Sequence, residues 1–301
     1  MKHWQKYRMK FILLVMFIFP LTVSAKSYGE IKELSLLSEG ISSMEIECGA
    51  GFLKLKGVEG LDEIKVKADI IAGNKKGKSL AEFIEEYIDL SLERHGDRAV
   101  LISRIKPSHF SFSFWGDGNS RIDLTVEVPD KMNIEIKDGS GDTELKNING
   151  AVDLDDGSGS VDIADVKGDL DINDGSGDLT ITNIDGKTNI HDGSGELNIH
   201  SVKGRIDIRD GSGSMDIRDI TGNMTVSDGS GEIKIDKVIG DLEIRDGSGS
   251  IRTTDIEGNV KIYDGSGSIY IDGVSKDVDI PESGSGGVQF KNVKGNVSGD
   301  L

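Results

Sequence analysis

Eight carboxylates recur at fixed spacing in this chain of 301 residues: Asp138, Asp156, Asp174, Asp192, Asp210, Asp228, Asp246 and Asp264, each opening an Asp-Gly-Ser-Gly tetrad and each 18 residues from the next. Two chemistries are open to such a carboxylate. It can accept backbone N–H groups of the following Ser and Gly in an Asx-turn, with glycine supplying the positive φ the turn needs. It can also be an oxygen ligand for a hard cation such as Ca2+, in which case the repeat lines up a row of metal sites. The turn chemistry is preferred, because neighbours ~4.8 Å apart in water repel by only about 1 kcal/mol, which a turn hydrogen bond offsets.

A second feature is local. Phe110, Phe112, Phe114 and Trp115 fall within six residues, in a stretch otherwise rich in serine and glycine. As a cap strand it would bury three rings on one face; as an exposed loop it would contact glycan, a partner protein or a membrane. These four are the candidate binding residues. No catalytic set is assigned, because acidic residues recur coil after coil instead of gathering, and His191 and His200, nine residues apart, fall on opposite strands of the repeat. The chain is read as non-enzymatic, and a β-helical enzyme acting on polysaccharide is the weaker alternative.

The elements that position the carboxylates follow from the same period. Counting from each aspartate, apolar residues fall at offsets 5, 7, 10, 14 and 16, as in Ile233, Ile235, Val238, Leu242 and Ile244. Two stretches of alternation per unit mean two half-buried strands, and offset 12, usually glycine, marks the second turn. One such unit cannot bury its apolar face until neighbours stack on it, so the repeat predicts an all-β parallel β-solenoid. Its coils are expected to be flattened, two-sheeted and 18 residues long, right-handed by the bias of parallel crossovers. About nine coils make a rod ~40 to 45 Å long. Thr188 and Thr253 occupy inward offsets, with their hydroxyls expected to bond to backbone. The last unit, from Ser283, carries one extra residue and reads as a worn ninth coil.

Three segments are assigned. Residues 1–25 read as a signal peptide: Lys2, Lys6, Arg8 and Lys10 precede an apolar run from Phe11 to Leu21, and Val23-Ser24-Ala25 offers a cleavage site. Residues 26–130 read as an N-terminal α+β cap. Within it Ser43 to Gly60 resembles a degenerate first coil, Leu80 to Tyr87 a short amphipathic helix, and Ile88 to Ile105 a hairpin turning at His95-Gly96-Asp97. Ile122 to Val128 is expected to lead into the regular coils of residues 131–301. Cys48, the single cysteine, is expected to be a small buried hydrophobe.

The chain holds 53 acidic against 35 basic residues, a net charge of -18. The leader holds four of the basic and none of the acidic, so the exported remainder would carry -22. Such a charge excludes nucleic acid as a partner. The expected compartment is the periplasm, the cell surface or the medium, and the expected partner is an envelope or extracellular protein or glycan. End-to-end self-association through the C-terminal coil is a further expectation.

Comparison with known repeats narrows the choice. Aligned on the calcium-binding RTX β-roll, the ligand aspartate falls at offset 5, which here holds Val161, Leu179, Leu197, Ile233 and Ile251. Hexapeptide acyltransferases repeat every six residues, and ice-binding solenoids show flat threonine rows; neither pattern is present. The alternating units around Asp-Gly-Ser-Gly, entered through Val126-Glu127-Val128-Pro129, resemble the bacterial β-strand-repeat family labelled "putative adhesin". That resemblance implies an exported β-repeat protein with an adhesin-like or envelope-scaffold role and no established catalytic residues, and no cofactor is expected. A calcium-stabilised or cation-binding solenoid is the alternative.

Overall fold

A computed structural model describes residues 29–72, 78–106 and 120–301. The leader and the four aromatics Phe110, Phe112, Phe114 and Trp115 lie outside the described residues. In chain order the N-terminal part comprises β1 (Gly29–Leu37), β2 (Ser43–Ala50), β3 (Leu53–Val58), β4 (Glu63–Ile71), α1 (Leu80–Tyr87), β5 (Ile88–His95), β6 (Arg98–Ile105) and β7 (Arg121–Pro129). β8 (Asn133–Ser140) and β9 (Thr143–Ile148) form the first regular coil, which β10 to β23 repeat across residues 152–274. β24 (Val278–Glu282) and β25 (Val288–Val293) complete nine coils, and the short β26 (Val297–Gly299) follows.

Each regular strand pairs in parallel with the strand one coil away. Leu154 therefore stacks between Ile136 and Ile172, and Ile181 between Ile163 and Ile199. These six side chains are at most 1% exposed, within one continuous core shared by two 13-stranded sheets. Left-handed residues break the alternation at offset 9: Asn147, Asp165, Asn183, Ser201, Asp219, Lys237 and Asp255 have φ of 53° to 62°. This single reversal of hand sends offset 10 back into the core, where Ile148, Val166 and Ile184 are buried. Glycine is required at the tetrad's fourth position, where coils touch through backbone. Gly159 has φ 137°, and a Cβ there would lie 1.8 Å from the carbonyl oxygen of Gly141.

The N-terminal elements take the predicted local forms. Ser79 caps α1 and forms a capping box with Glu82, while Phe83 and Ile84 on its inner face are buried. β5 and β6 are an antiparallel hairpin, and β2–β3 is a coil of the solenoid. The order of coils in space departs from the expectation. β7 does not abut the regular coils, because β2–β3 lies between β6–β7 on one side and β8–β9 on the other. The cause is pairing: β4 runs antiparallel to β7, which slots between β3 and β4 and leaves neither edge open. The antiparallel strands β1 and β5 then cover the outer edges of the two sheets. With 13 strands per sheet the stack is about 58 Å tall at ~4.8 Å per strand, longer than the regular coils alone.

Two further expectations are corrected. The Thr188 and Thr253 hydroxyls are buried with no hydrogen-bond partner, because strand carbonyls at their level are already engaged in the parallel ladders. In the last coil the extra residue becomes a register shift opposite Lys261 and Tyr263, beyond which Ser283 is buried.

Candidate functional site

The eight aspartates form one column, and it lies inside the protein. In each strand of their sheet the aspartate follows two inward residues at alternate positions, both apolar except for Thr188 before Asp192, as in Leu170, Ile172 and Asp174, so strand parity turns its side chain toward the core. All eight are 1% to 7% exposed. The expectation of carboxylates repelling one another in water is therefore corrected: the column is desolvated. Register stacks them in order from Asp138 to Asp264, rung on rung.

The two oxygens of a rung differ. Oδ1 of Asp138, Asp174, Asp192, Asp210, Asp228, Asp246 and Asp264 accepts the N–H of the serine two residues on, at 3.0 to 3.3 Å. Oδ2 of every rung from Asp156 onward is buried and receives no hydrogen bond, and at Asp156 neither oxygen does. Asp138 is the exception, since Thr143 Oγ1 donates to its Oδ2 at 3.2 Å. Burial is the main cause that lifts all eight above the usual carboxylate range. Asp156 is pushed up to about 7 by burial and then by Asp138 and Asp174. Asp192, Asp228 and Asp246 reach about 6, again through burial first and neighbouring rungs second.

The column extends past the aspartates into residues the repeat does not reveal. Cys48 pairs in register with Asp138, and Ser103 pairs with Cys48 one coil further out. Burial, and then Asp138, hold the Cys48 thiol far above its ordinary value. Cys48, expected to be buried, is half-buried and continues the acidic column instead of simply packing. Ser103 is 2% exposed with its hydroxyl unpartnered, and Ser283 closes the other end. The inward position of the aspartates was readable from parity, since offsets 14, 16 and 18 share a face. Cys48 and Ser103 carry no such signal, because their coils lack the tetrad.

Among the described residues no group of three or more His, Cys, Asp or Glu side chains is arranged to hold a metal ion. His191 and His200 stand on opposite sheets, His200 with Nδ1 3.5 Å from Asp219 Oδ2. The outer faces carry polar columns: Asn173, Asn183 and Asn189 donate to Asp155, Asp165 and Asp171 of the preceding coil at 2.9 to 3.2 Å. A shallow groove of about 570 Å³ runs along one such face, across Arg98, Glu135, Asp153, Asp171, Lys187 and Asn189. Partial desolvation, followed by Asp171, Glu135 and Asp155, raises the Asp153 carboxyl above the usual range.

Fold and site together define a capped parallel β-solenoid protein with a buried carboxyl column. The chain belongs to the Toastrack DUF4097 family, whose model matches residues 88–238. Among solved structures it is similar to a "putative adhesin" of Parabacteroides merdae at 14% identity, covering 91% of this chain and 98% of that one with a TM-score of 0.31. A "putative adhesin" of Bacteroides fragilis gives 12% identity, 90% and 97% coverage and a TM-score of 0.29. A "putative lipid binding protein" of Parabacteroides distasonis gives 14%, 90%, 96% and 0.29. Similarity this distant carries no argument about function. No curated protein matches the chain.

Proposed function

We propose that this protein is an exported, non-enzymatic binding rod with an adhesin-like or envelope-scaffold role, whose outer faces engage an extracellular or envelope glycan or protein. The observation that carries the reading is the groove crossing successive coils, in which Glu135, Asp153, Asp171 and Asn189 present an in-register polar row flanked by Arg98 and Lys187. A rigid row of donors and acceptors at strand spacing suits an extended polar chain, which offers its own groups at regular intervals. Export rests on the leader at residues 1–25, and non-enzymatic character on acidic groups that repeat along the rod.

The test is an array of envelope and extracellular glycans probed with the protein and with Asp153→Lys/Asp171→Lys. Saturable binding to a glycan class, weakened at least about tenfold by the double substitution at unchanged melting temperature, is the expected result. Cleavage of a glycan, or binding indifferent to these positions, would sink the reading. The competing reading is a calcium-stabilised solenoid with cations on the aspartates from Asp138 to Asp264. The unpartnered Oδ2 atoms favour it, and its readout is calcium-dependent stability.

A further inference from the structure

Seven consecutive rungs leave a buried carboxyl oxygen without a donor, and each such atom carries its full desolvation cost until one is supplied. The turn offers none, because offset 5 is apolar in every rung after the first, from Val161 to Ile269. What stacks on each rung, one strand spacing or ~4.8 Å away, is another carboxyl group. A carboxylate has no donor to give, whereas a carboxylic acid has one. Where the carboxyl group lies along the column, so that Oδ2 of one rung faces Oδ1 of the next, an O–H on one of them makes a charge-assisted bond of ~2.5–2.7 Å to the other.

We propose that the aspartate column is a proton-binding site built into the fold, in which about every second rung is a carboxylic acid donating its O–H to the carboxylate of the next coil. The protons come from solvent as the chain folds, and no other bond is made or broken. The ends set the phase. Asp138 has two donors, in the Ser140 N–H and the Thr143 hydroxyl, so it is the ionised terminus. Asp156, with neither oxygen satisfied, is the first acid. Ser103 and Ser283 close the column with protic groups that accept or donate.

The titratable groups facing the column are its own rungs, Cys48 beside Asp138 and Asp178 near Asp192; no basic side chain contributes to the raised values. The carboxyl pKa of about 7 at Asp156 and about 6 at Asp192, Asp228 and Asp246 stands above the ~3.9 of an unfolded aspartate. The column's contribution to stability is therefore fully present below about pH 4 and is lost as pH rises through about 6 to 7. The rod stacks most firmly in acid and loosens toward alkaline pH.

The experiment is infrared spectroscopy of the protein at pH 6, reading the C=O stretch of protonated carboxyl groups, with urea midpoints at pH 5 and pH 8. The expected result is a protonated-carboxyl band in the folded protein that vanishes in urea, and a higher midpoint at pH 5. Asp156→Asn/Asp192→Asn/Asp228→Asn replaces three of the four acid rungs with permanent amide donors; it is expected to lose most of the band, leaving that of Asp264, and to flatten the pH dependence, while the outer-face control Asp162→Asn keeps both. If the triple variant does not fold, the spectrum of the unsubstituted protein decides. Absence of the band at pH 6, a midpoint independent of pH, or loss of the band on adding calcium with a gain in stability would overturn the proposal.

Discussion

Thr143 Oγ1 donates to Asp138 Oδ2 at 3.2 Å, closing the first rung of the buried column from the facing strand. Thr143 is 1% exposed, so its hydroxyl stands where the later coils have an aliphatic side chain. Thr143→Val keeps the shape and removes the donor. The expected cost is about 1–3 kcal/mol in urea unfolding, with most of it recovered by Thr143→Ser. Equal stability of the valine and serine variants would show that the bond carries no weight.

Backbone contact between coils sets the second prediction. At Gly159 a Cβ would lie 1.8 Å from the Gly141 carbonyl oxygen in a left-handed backbone, and the blocking atom is main chain that cannot yield alone. Gly159→Ala is expected to cost more than about 4 kcal/mol, whereas Gly287→Ala, with nothing within 4 Å, stays within about 0.5 kcal/mol. Melting curves of the two variants make the comparison.

The left-handed bend at offset 9 gives a third. Asn183 has φ 58° and donates to Asp165 Oδ1 at 3.1 Å. A β-branched side chain is poorly tolerated there, so Asn183→Val is expected to lose about 1–2 kcal/mol, while Asn183→Gly changes little. A valine variant as stable as the parent in chemical denaturation would contradict the bend as the source of strain.

Cys48 supplies a chemical readout. Burial and the neighbouring Asp138 raise its thiol pKa, so little thiolate forms even in mild alkali. Alkylation by iodoacetamide at pH 8 is expected to be much slower in the folded protein than in urea. Comparable rates in the two states would place the thiol outside the column.

Cations and protons compete for the same oxygens. With the column filled by protons, the melting temperature in EDTA and through a calcium titration is expected to stay constant. A concentration-dependent rise would instead establish binding of calcium to the folded state.

Much of this structure is legible in sequence because its determinants are local or repeat at fixed distance. The helix over residues 80–87 follows from the capping pair Ser79 and Glu82 with an apolar stripe, and the hairpin over residues 88–105 from its Gly96 turn. The coil follows from the 18-residue period, since each inward position has its partner one period away. The burial of Asp174 was also present in the pattern, one alternate step beyond Ile172, but a charged residue at a turn invites the assumption of solvent.

The coil, its two strands, its glycine-bearing turns and the identity of the repeating carboxylates are legible along the chain, because every one of these depends on neighbours within a single period. The remaining features arise from long-range pairing. That β2–β3 sits between β7 and the regular coils, and that Ser103 and Cys48 stack in line with Asp138, depends on strand register between segments 55 and 90 residues apart. Register is chosen by which edges remain to be paired when the whole sheet is assembled, and that choice turns eight turn residues into one desolvated column.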